Sequence, residues 1–468
     1  MEGRVYEVTR ANRARRSATR DASGSARLVR ALLKQITVPV SVEENPLALT
    51  THAQSRVNDK DPKGGGCMPS FNGVRCGLVG LAALLALAQP GLAADPGLTD
   101  NEIMIGLFGP LSGPLISFGL DPLQAAKMLY EEVNNKGGIH GRKIKLVIED
   151  DKCTPNDLVS VVKKLVTVDK VFMLHGGSCT AAVAAAQDFV NRESMPMAML
   201  NAAGDNAVFP PTRYVFGAFQ GTQRVYGAAL ANFAVLHLKS KRAAVIVHDD
   251  DYGNANLKTV KATLERQGVE IVAAERIPPN INDVTAPMLK IRAAQPDVIL
   301  SGLYPAPAVL FAQKYAEYGM TDVPLLQATQ GIPSPATFAK NVGNPDALKN
   351  FYHTWSFNDV ADEAVRQKYI KMYKSYYPDR DPTPFFVSGL PSALVIIAAF
   401  EKAGKDLSRE SFVAAMEQID VKTDIMAGEL AFAPDRRDAL RDVFVVRFDG
   451  TKQTVMPGVY TWNGKDGL

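Results

Sequence analysis

The stretch KIKLVIEDDKCTPNDLVSVVKKLVTVDKVFMLHGGSCT, residues 143–180, sets the pattern by which the rest of the chain can be read. Residues 143–149 form a short strand-like run. Residues 156–167 place apolar side chains at helical spacing, and residues 171–174 return to a short apolar run. This switch of period marks a βα unit, whose strands pair in parallel. The second strand delivers a turn, His175-Gly176-Gly177-Ser178-Cys179-Thr180, and a helix over residues 181–192 follows.

The same alternation extends in both directions. Upstream lie a strand at 103–108 and a helix at 122–135, with Ala126, Leu129, Tyr130 and Val133 on one face and Gly137-Gly138 as its stop. Downstream comes a strand at 196–200. After Phe216 a second series begins, with helices at 224–238, 253–267, 284–294 and 306–318 and strands at 243–248, 270–276, 297–302 and 324–328. Two α/β lobes follow from this count. Helices at 361–376, 387–403 and 409–418 and strands near 429–432 and 443–448 are too few for a third sheet, so they complete the two lobes. The chain then crosses between lobes more than once, which makes a hinge with a cleft beside it. The expected boundaries are 97–217 plus 349–447 for the first lobe and 218–348 plus 448–468 for the second.

At 468 residues, 46% hydrophobic and 22% charged, the chain can bury a large core. Residues 1–67 differ from the rest. They are Arg- and Ser-rich with no apolar period and end near Gly64-Gly65-Gly66, so they read as disordered or as translated sequence upstream of the true start. Residues 68–93 read as a signal peptide: Met68 starts it, Arg75 gives the positive region, 77–87 the apolar region and Gly91-Leu92-Ala93 the cleavage site. Cleavage near Ala93 and a periplasmic location are expected. Residues 1–66 carry 12 Lys/Arg against 7 Asp/Glu; removing these and Arg75 leaves 39 against 42, about −3. Such a balance offers no basic surface for nucleic acid.

Of four cysteines, only Cys153 and Cys179 remain after the leader is removed. They sit at the ends of two neighbouring strands, beside the Gly/Ser/Thr turn, and are expected to form one disulfide. Export makes that bond chemically permissible. Closing such a loop contributes about 3 kcal/mol in the chain-entropy account.

Several quoted runs carry a more specific signal. Leu107-Phe108-Gly109-Pro110-Leu111-Ser112-Gly113-Pro114, then Phe118-Gly119, then Val133-Asn134-Asn135-Lys136-Gly137-Gly138-Ile139-His140-Gly141-Arg142 and Glu149-Asp150-Asp151 resemble the leucine/isoleucine/valine-binding family. His248-Asp249-Asp250-Asp251-Tyr252-Gly253, Gln295-Pro296-Asp297-Val298-Ile299 and Gly428-Glu429-Leu430-Ala431-Phe432 continue it, over nearly all of residues 99–460. These are type I periplasmic solute-binding proteins of ABC transporters. The resemblance implies an α/β fold of two Rossmann-like lobes joined by a multi-strand hinge, the Venus flytrap, and Cys153 and Cys179 match the family's disulfide. It implies a monomer that closes on a small solute and docks onto a membrane permease, with neither catalysis, cofactor nor metal.

Strand-end turns that lead into helix N-termini offer free N–H groups and partial positive charge, which suit a carboxylate. Matched to the family, these positions are Ser178 and Thr180 in the first turn and Ala202, Ala203, Gly204 and Asp205 in the second. Thr180 can also cap the helix after it, and Asp205 would oppose a carboxylate unless it caps the following turn. Ser112 and Phe118 belong to the first loop. Tyr252 and Tyr304 match aromatics that close from the second lobe. At Gln327-Ala328-Thr329-Gln330-Gly331 the chain departs from the family, whose amino-acid-binding members carry a Glu there for the ligand's ammonium. Thr329 or Gln330 can hydrogen-bond but not neutralise, and an unpaired buried ammonium is costly. An aromatic or aliphatic acid, or an amide, is therefore expected over a branched-chain amino acid, although Asp251 or Asp205 could supply the charge. The alternatives are branched-chain amino acid binding and an amide-type sensor that regulates a partner without transport. Asp249-Asp250-Asp251 reads as a solvated acidic run rather than a metal site, and no Gly-x-Ser-x-Gly elbow supports a hydrolase.

Overall fold

Two sheets organise residues 95–461, which the computed structural model describes apart from Pro114, Ala218, residues 329–334 and the side chain of Pro384. The upstream segment 1–67 and the leader 68–93 lie outside the described residues.

The first sheet is wholly parallel, in the order β2-β1-β3-β4-β5. Its strands are β1 (Glu102–Gly109), β2 (Lys143–Asp150), β3 (Met173–Gly176), β4 (Met197–Ala198) and β5 (Val215–Phe216). Side chains alternate between its two faces. Ile103, Ile105 and Leu107 enter the core beneath the helices Leu120–Asn135 and Leu390–Ala403, whereas Phe108 packs with Leu158, Val162 and Val183 on the other side. The helix Pro155–Thr167 starts where the sequence says it should: Pro155 stands at its first turn, and Thr154 accepts the Asp157 N–H at 3.1 Å.

The second sheet runs β14-β13-β10-β9-β8-β6-β7, with β15 (Tyr460–Thr461) paired to β13. β6 (Arg242–His248), β7 (Glu270–Ile277), β8 (Val298–Gly302), β9 (Leu325–Gln327) and β10 (Phe351–Trp355) are parallel to one another. β13 (Asp442–Phe448) returns antiparallel beside β10, and β14 (Gln453–Val455) beside β13. A separate two-stranded ribbon pairs β11 (Asp420–Lys422) with β12 (Glu429–Ala431).

Sheet membership departs from the split expected at 349 and 447. Phe351 pairs with Leu325 and Phe448 with Phe351, so β10 and β13 extend the second sheet rather than the first lobe. Their side chains then divide. Val443 and Val445 join the second lobe's core, while Phe444, Val446 and Trp355 pack into the first. These are the hinge strands.

The other crossings lie alongside. The Gly217 N–H donates to the Arg437 carbonyl at 2.9 Å, Ala439 N–H to Gly217, and Ser356 Oγ to the Gln220 carbonyl at 2.6 Å. Arg437, only 1% exposed, fastens this region: it donates to the carbonyls of Thr212 and Arg213 and to Glu417 Oε1 at 2.6 Å, with its guanidinium 4.6 Å from the Phe216 ring centre. A buried arginine with this many acceptors is stable despite losing water. The run Phe385–Ala403 is apolar and long enough to span a membrane, but 83% of that window is buried within the protein.

The candidate ligand cleft

The turn after β3 ends the first sheet at the cleft. Gly177 takes φ +88°, and a Cβ there would lie 2.5 Å from Val183, so this reversal needs glycine. The helix Thr180–Arg192 begins one residue earlier than its apolar pattern suggests. Cys179 is its N-cap and makes no side-chain cap bond, so Thr180 does not cap the helix. The first N–H groups of this helix are left for another acceptor. Instead, Thr180 Oγ1 accepts the Gly204 N–H at 3.0 Å, tying the first turn to the second and leaving its hydroxyl proton free to donate. Ser178 Oγ is buried with no hydrogen-bond partner among the described residues.

Cys153 and Cys179 are bonded, with Cα atoms 5.4 Å apart, which joins this turn to the loop after β2. In that loop Asp151 is fully buried and accepts the Cys153 N–H at 2.9 Å. Burial pushes its carboxyl up to about 6.

The second lobe contributes rings. Tyr252 stacks on Tyr304 at 4.9 Å between centres, and Tyr304 stacks on His248 at 4.4 Å. His248 Nε2 accepts the Tyr304 N–H at 2.8 Å, which requires the neutral ring with its proton on Nδ1, facing the Ile277 carbonyl at 3.3 Å. Burial likewise lowers the His248 pKa. Asp250 caps the helix Asp251–Arg266 through the Gly253 N–H at 2.8 Å and accepts the Tyr304 hydroxyl at 3.0 Å with its other oxygen. His248 and Asp250 thus aim Tyr304 from both ends.

Between these walls lies a cleft of about 490 Å³. Of the expected residues, Phe118, Ser178, Thr180, Ala203, Gly204, Asp205, Tyr252 and Tyr304 line it. Ser112 does not; its exposed hydroxyl donates to Asp150 Oδ2 at 2.5 Å, which holds it on the β2 loop. Ala202 does not either, being buried against Val183 and Met199 in the first lobe's core. Thr329 and Gln330 lie outside the described residues, and the neighbouring Gln327 is spent on Ser301 and on the carbonyls of Leu303 and Ala328.

Lining residues that the sequence reading left out are Phe385, Leu115, Asn201, Gln223 and Asp250 among others. Phe385 meets Phe118 edge-on at 5.1 Å. The distant Phe385 gave no local signal, but Gln223, one residue before the expected helix, could have been found as its N-terminal polar flank.

The acids of the cleft are mostly engaged. Asp205 Oδ2 accepts from Arg224 Nε at 2.7 Å across the lobes; burial raises its pKa while Arg224 opposes the rise. Asp251 has the amide of Asn206, also across the lobes, at 3.1 Å. Among the described residues, no group of three or more His, Cys, Asp or Glu could hold a metal ion.

Two α/β lobes, a multi-strand hinge and a solute-sized cleft at the strand ends define a type I periplasmic-binding-protein fold. The description of periplasmic binding proteins matches residues 102–453, and the chain belongs to that family. It is 27% identical over 368 residues to the Leu/Ile/Val-binding protein homolog 7 of Brucella abortus, covering 74% of this chain and 88% of that one. The solute-binding protein of an ABC transporter from Rhodopseudomonas palustris, solved with p-hydroxybenzoic acid, superposes with TM-score 0.67 at 20% identity, covering 77% of this chain and 97% of that one. The branched-chain amino acid transporter substrate-binding protein LivJ of Streptococcus pneumoniae, solved with isoleucine, gives 0.64 at 21%, covering 77% and 99%. Both solved proteins serve transporters, and the likeness to them shows a shared fold.

Proposed function

We propose that this chain is an exported receptor of an ABC uptake system, cleaved near Ala93, that holds a small carboxylate-bearing solute with an apolar body. The observation that carries this reading is the buried, unpartnered Ser178 hydroxyl beside the uncapped N-terminus of the Thr180 helix. Donors without acceptors in a water-poor turn favour an anionic oxygen pair. Phe118, Phe385, Tyr252 and Tyr304 supply flat apolar area for the rest of the solute. Ser178, Thr180, Ala203, Gly204, Tyr252 and Tyr304 are its proposed contacts. None of them is given a catalytic role.

Binding energy goes into closure. A solute touching both lobes favours the closed arrangement by the contacts it makes only there. In this reading the first lobe is the first sheet with its later helices, and the second lobe is the second sheet, including β10 and β13.

A branched-chain amino acid is the alternative, and Asp251 is the observation in its favour. Among the described lining carboxylates it is the one paired neither with a cation nor as a helix cap. A thermal-shift panel of benzoate, hydroxybenzoates, fatty acids, leucine and valine discriminates. A shift with the acids supports the proposal. A shift with leucine or valine and none with the acids overturns it.

A further inference from the structure

His175 stands in the last turn of chain before Ser178, near the end of β3, and is fully buried. Its ring is held from both sides by residues that are fully buried too. Tyr130 Oη lies 2.8 Å from His175 Nδ1, and Ser392 Oγ lies 2.9 Å from His175 Nε2. The direction of these bonds follows from what the hydroxyls can reach. Ser392 Oγ donates to the Gly389 carbonyl at 3.4 Å, so it accepts from Nε2–H, and the Tyr130 hydroxyl donates to Nδ1. The other tautomer would leave the Tyr130 proton without an acceptor among the described residues. Burial lowers the pKa of the ring to about 3, so it is neutral.

The two partners belong to the helices that run back from the cleft. Tyr130 is on Leu120–Asn135, which starts just after Phe118. Ser392 is on Leu390–Ala403, which continues directly from the short 3-10 helix Pro384–Gly389 that carries Phe385. Phe118 and Phe385 are the edge-on pair lining the cleft. The chain at the starts of these helices meets at main-chain distance, since a Cβ on Gly389 would lie 1.9 Å from the Pro122 carbonyl. One imidazole therefore joins three segments that supply the first lobe's side of the cleft: the turn with Ser178 and Thr180, the helix behind Phe118 and the helix behind Phe385.

An apolar side chain would fill the same space without losing hydration. A fully satisfied polar trio inside an apolar core instead specifies one arrangement, because a shift leaves a buried donor or acceptor unpaired. The turn it holds presents the N-terminus of Thr180–Arg192, and binding groups must stay within about 0.5 Å of the productive geometry. His175 itself does not line the cleft. Resting on the carboxylate reading above, we infer that His175 is a positioning residue for solute binding, which registers the Ser178–Thr180 turn against the Phe118–Phe385 pair through Tyr130 and Ser392.

The test changes the partners and leaves the ring in place: Tyr130→Phe and Ser392→Ala each remove one hydrogen bond and nearly preserve the packing. Residue-resolved hydrogen exchange on the ligand-free chain gives the first reading. The amides of Gly177, Val183 and Gly204, bonded to Phe108, Cys179 and Thr180, should exchange on the order of 3- to 10-fold faster in either variant, while those of β6 and β8 keep their rates. Calorimetry with benzoate, 4-hydroxybenzoate and leucine, well below the melting temperature, gives the second. Affinity for the ligand that binds should fall by a similar factor, on the order of 3- to 10-fold. A merely structural tie would lower the melting temperature and leave affinity untouched. Wild-type affinity in both variants overturns the inference, whatever the exchange rates, and leaves the carboxylate reading intact. Binding of leucine alone, weakened in both variants, overturns the solute class proposed above and leaves the role of His175 standing.

Discussion

On the first lobe the cleft is bounded by a turn of small side chains, Ser178, Thr180, Ala203 and Gly204, with Cys153–Cys179 behind it, and by the edge-on pair Phe118 and Phe385. On the second it is bounded by rings, Tyr252 on Tyr304 on His248, braced by the carboxylate of Asp250. The first wall is stiffened covalently and by the Thr180–Gly204 bond, so it meets a ligand already shaped. The second owes its form to stacking and to two ionisable supports. In the proposed reading charge is recognised where geometry is fixed, while contact area is shared between the Phe118–Phe385 pair of one lobe and the tyrosine stack of the other.

The largest test of that contrast removes the staple. Cys153→Ser with Cys179→Ser should cost about 3 kcal/mol of stability, read as a lower urea midpoint; an unchanged midpoint would show that the turn holds itself. Next comes Asp151. Its folded pKa of about 6 exceeds the ordinary value of 3.8, so between pH 4 and 6 the folded chain keeps a proton that the unfolded chain releases. Stability should therefore fall as pH rises through that window. Asp151→Asn, which keeps an acceptor for the Cys153 N–H, should remove this slope and leave the variant about 2 to 3 kcal/mol more stable than wild type at pH 7 relative to pH 4. A difference that stays flat with pH would locate the perturbation elsewhere.

For the ring wall, Tyr304→Ala should weaken binding of a bound acid by about 2 kcal/mol, on the order of 30-fold, by calorimetry. Undiminished affinity would break the assignment of contact area to the second lobe. Asp250→Ala should cost about 1 kcal/mol of stability through the lost helix cap and Tyr304 bond. A chemical-denaturation series on this variant and on Tyr304→Phe would separate the two contributions.

The two walls also differed in how far they could be read from sequence. Gly, Ser, Cys and Thr at a strand end announce a turn, and Ser178 and Thr180 do line the cleft. Tyr252 and Tyr304 were legible as aromatics at strand exits, but their supports were not: nothing local says that His248 accepts from Tyr304 or that Asp250 serves two donors. Ser112 was misplaced for a similar reason, since its capture by Asp150 joins loops 38 residues apart. In the fold, period switching exposed most strands and helices. It missed β10, because Phe351–Trp355 is buried on both sides yet interrupted by His353 and Thr354. Without β10, the lobe membership of β13 could not be inferred either.

β13 has a consequence for how the molecule is made. Its alternate residues belong to different cores, Val443 and Val445 to one, Phe444 and Val446 to the other. A chain emerging N-terminus first therefore carries two unfinished halves until residue 448 is released. Both cores receive their β13 side chains in the same step, after which only β14 and β15 are still to be added, both to the second sheet.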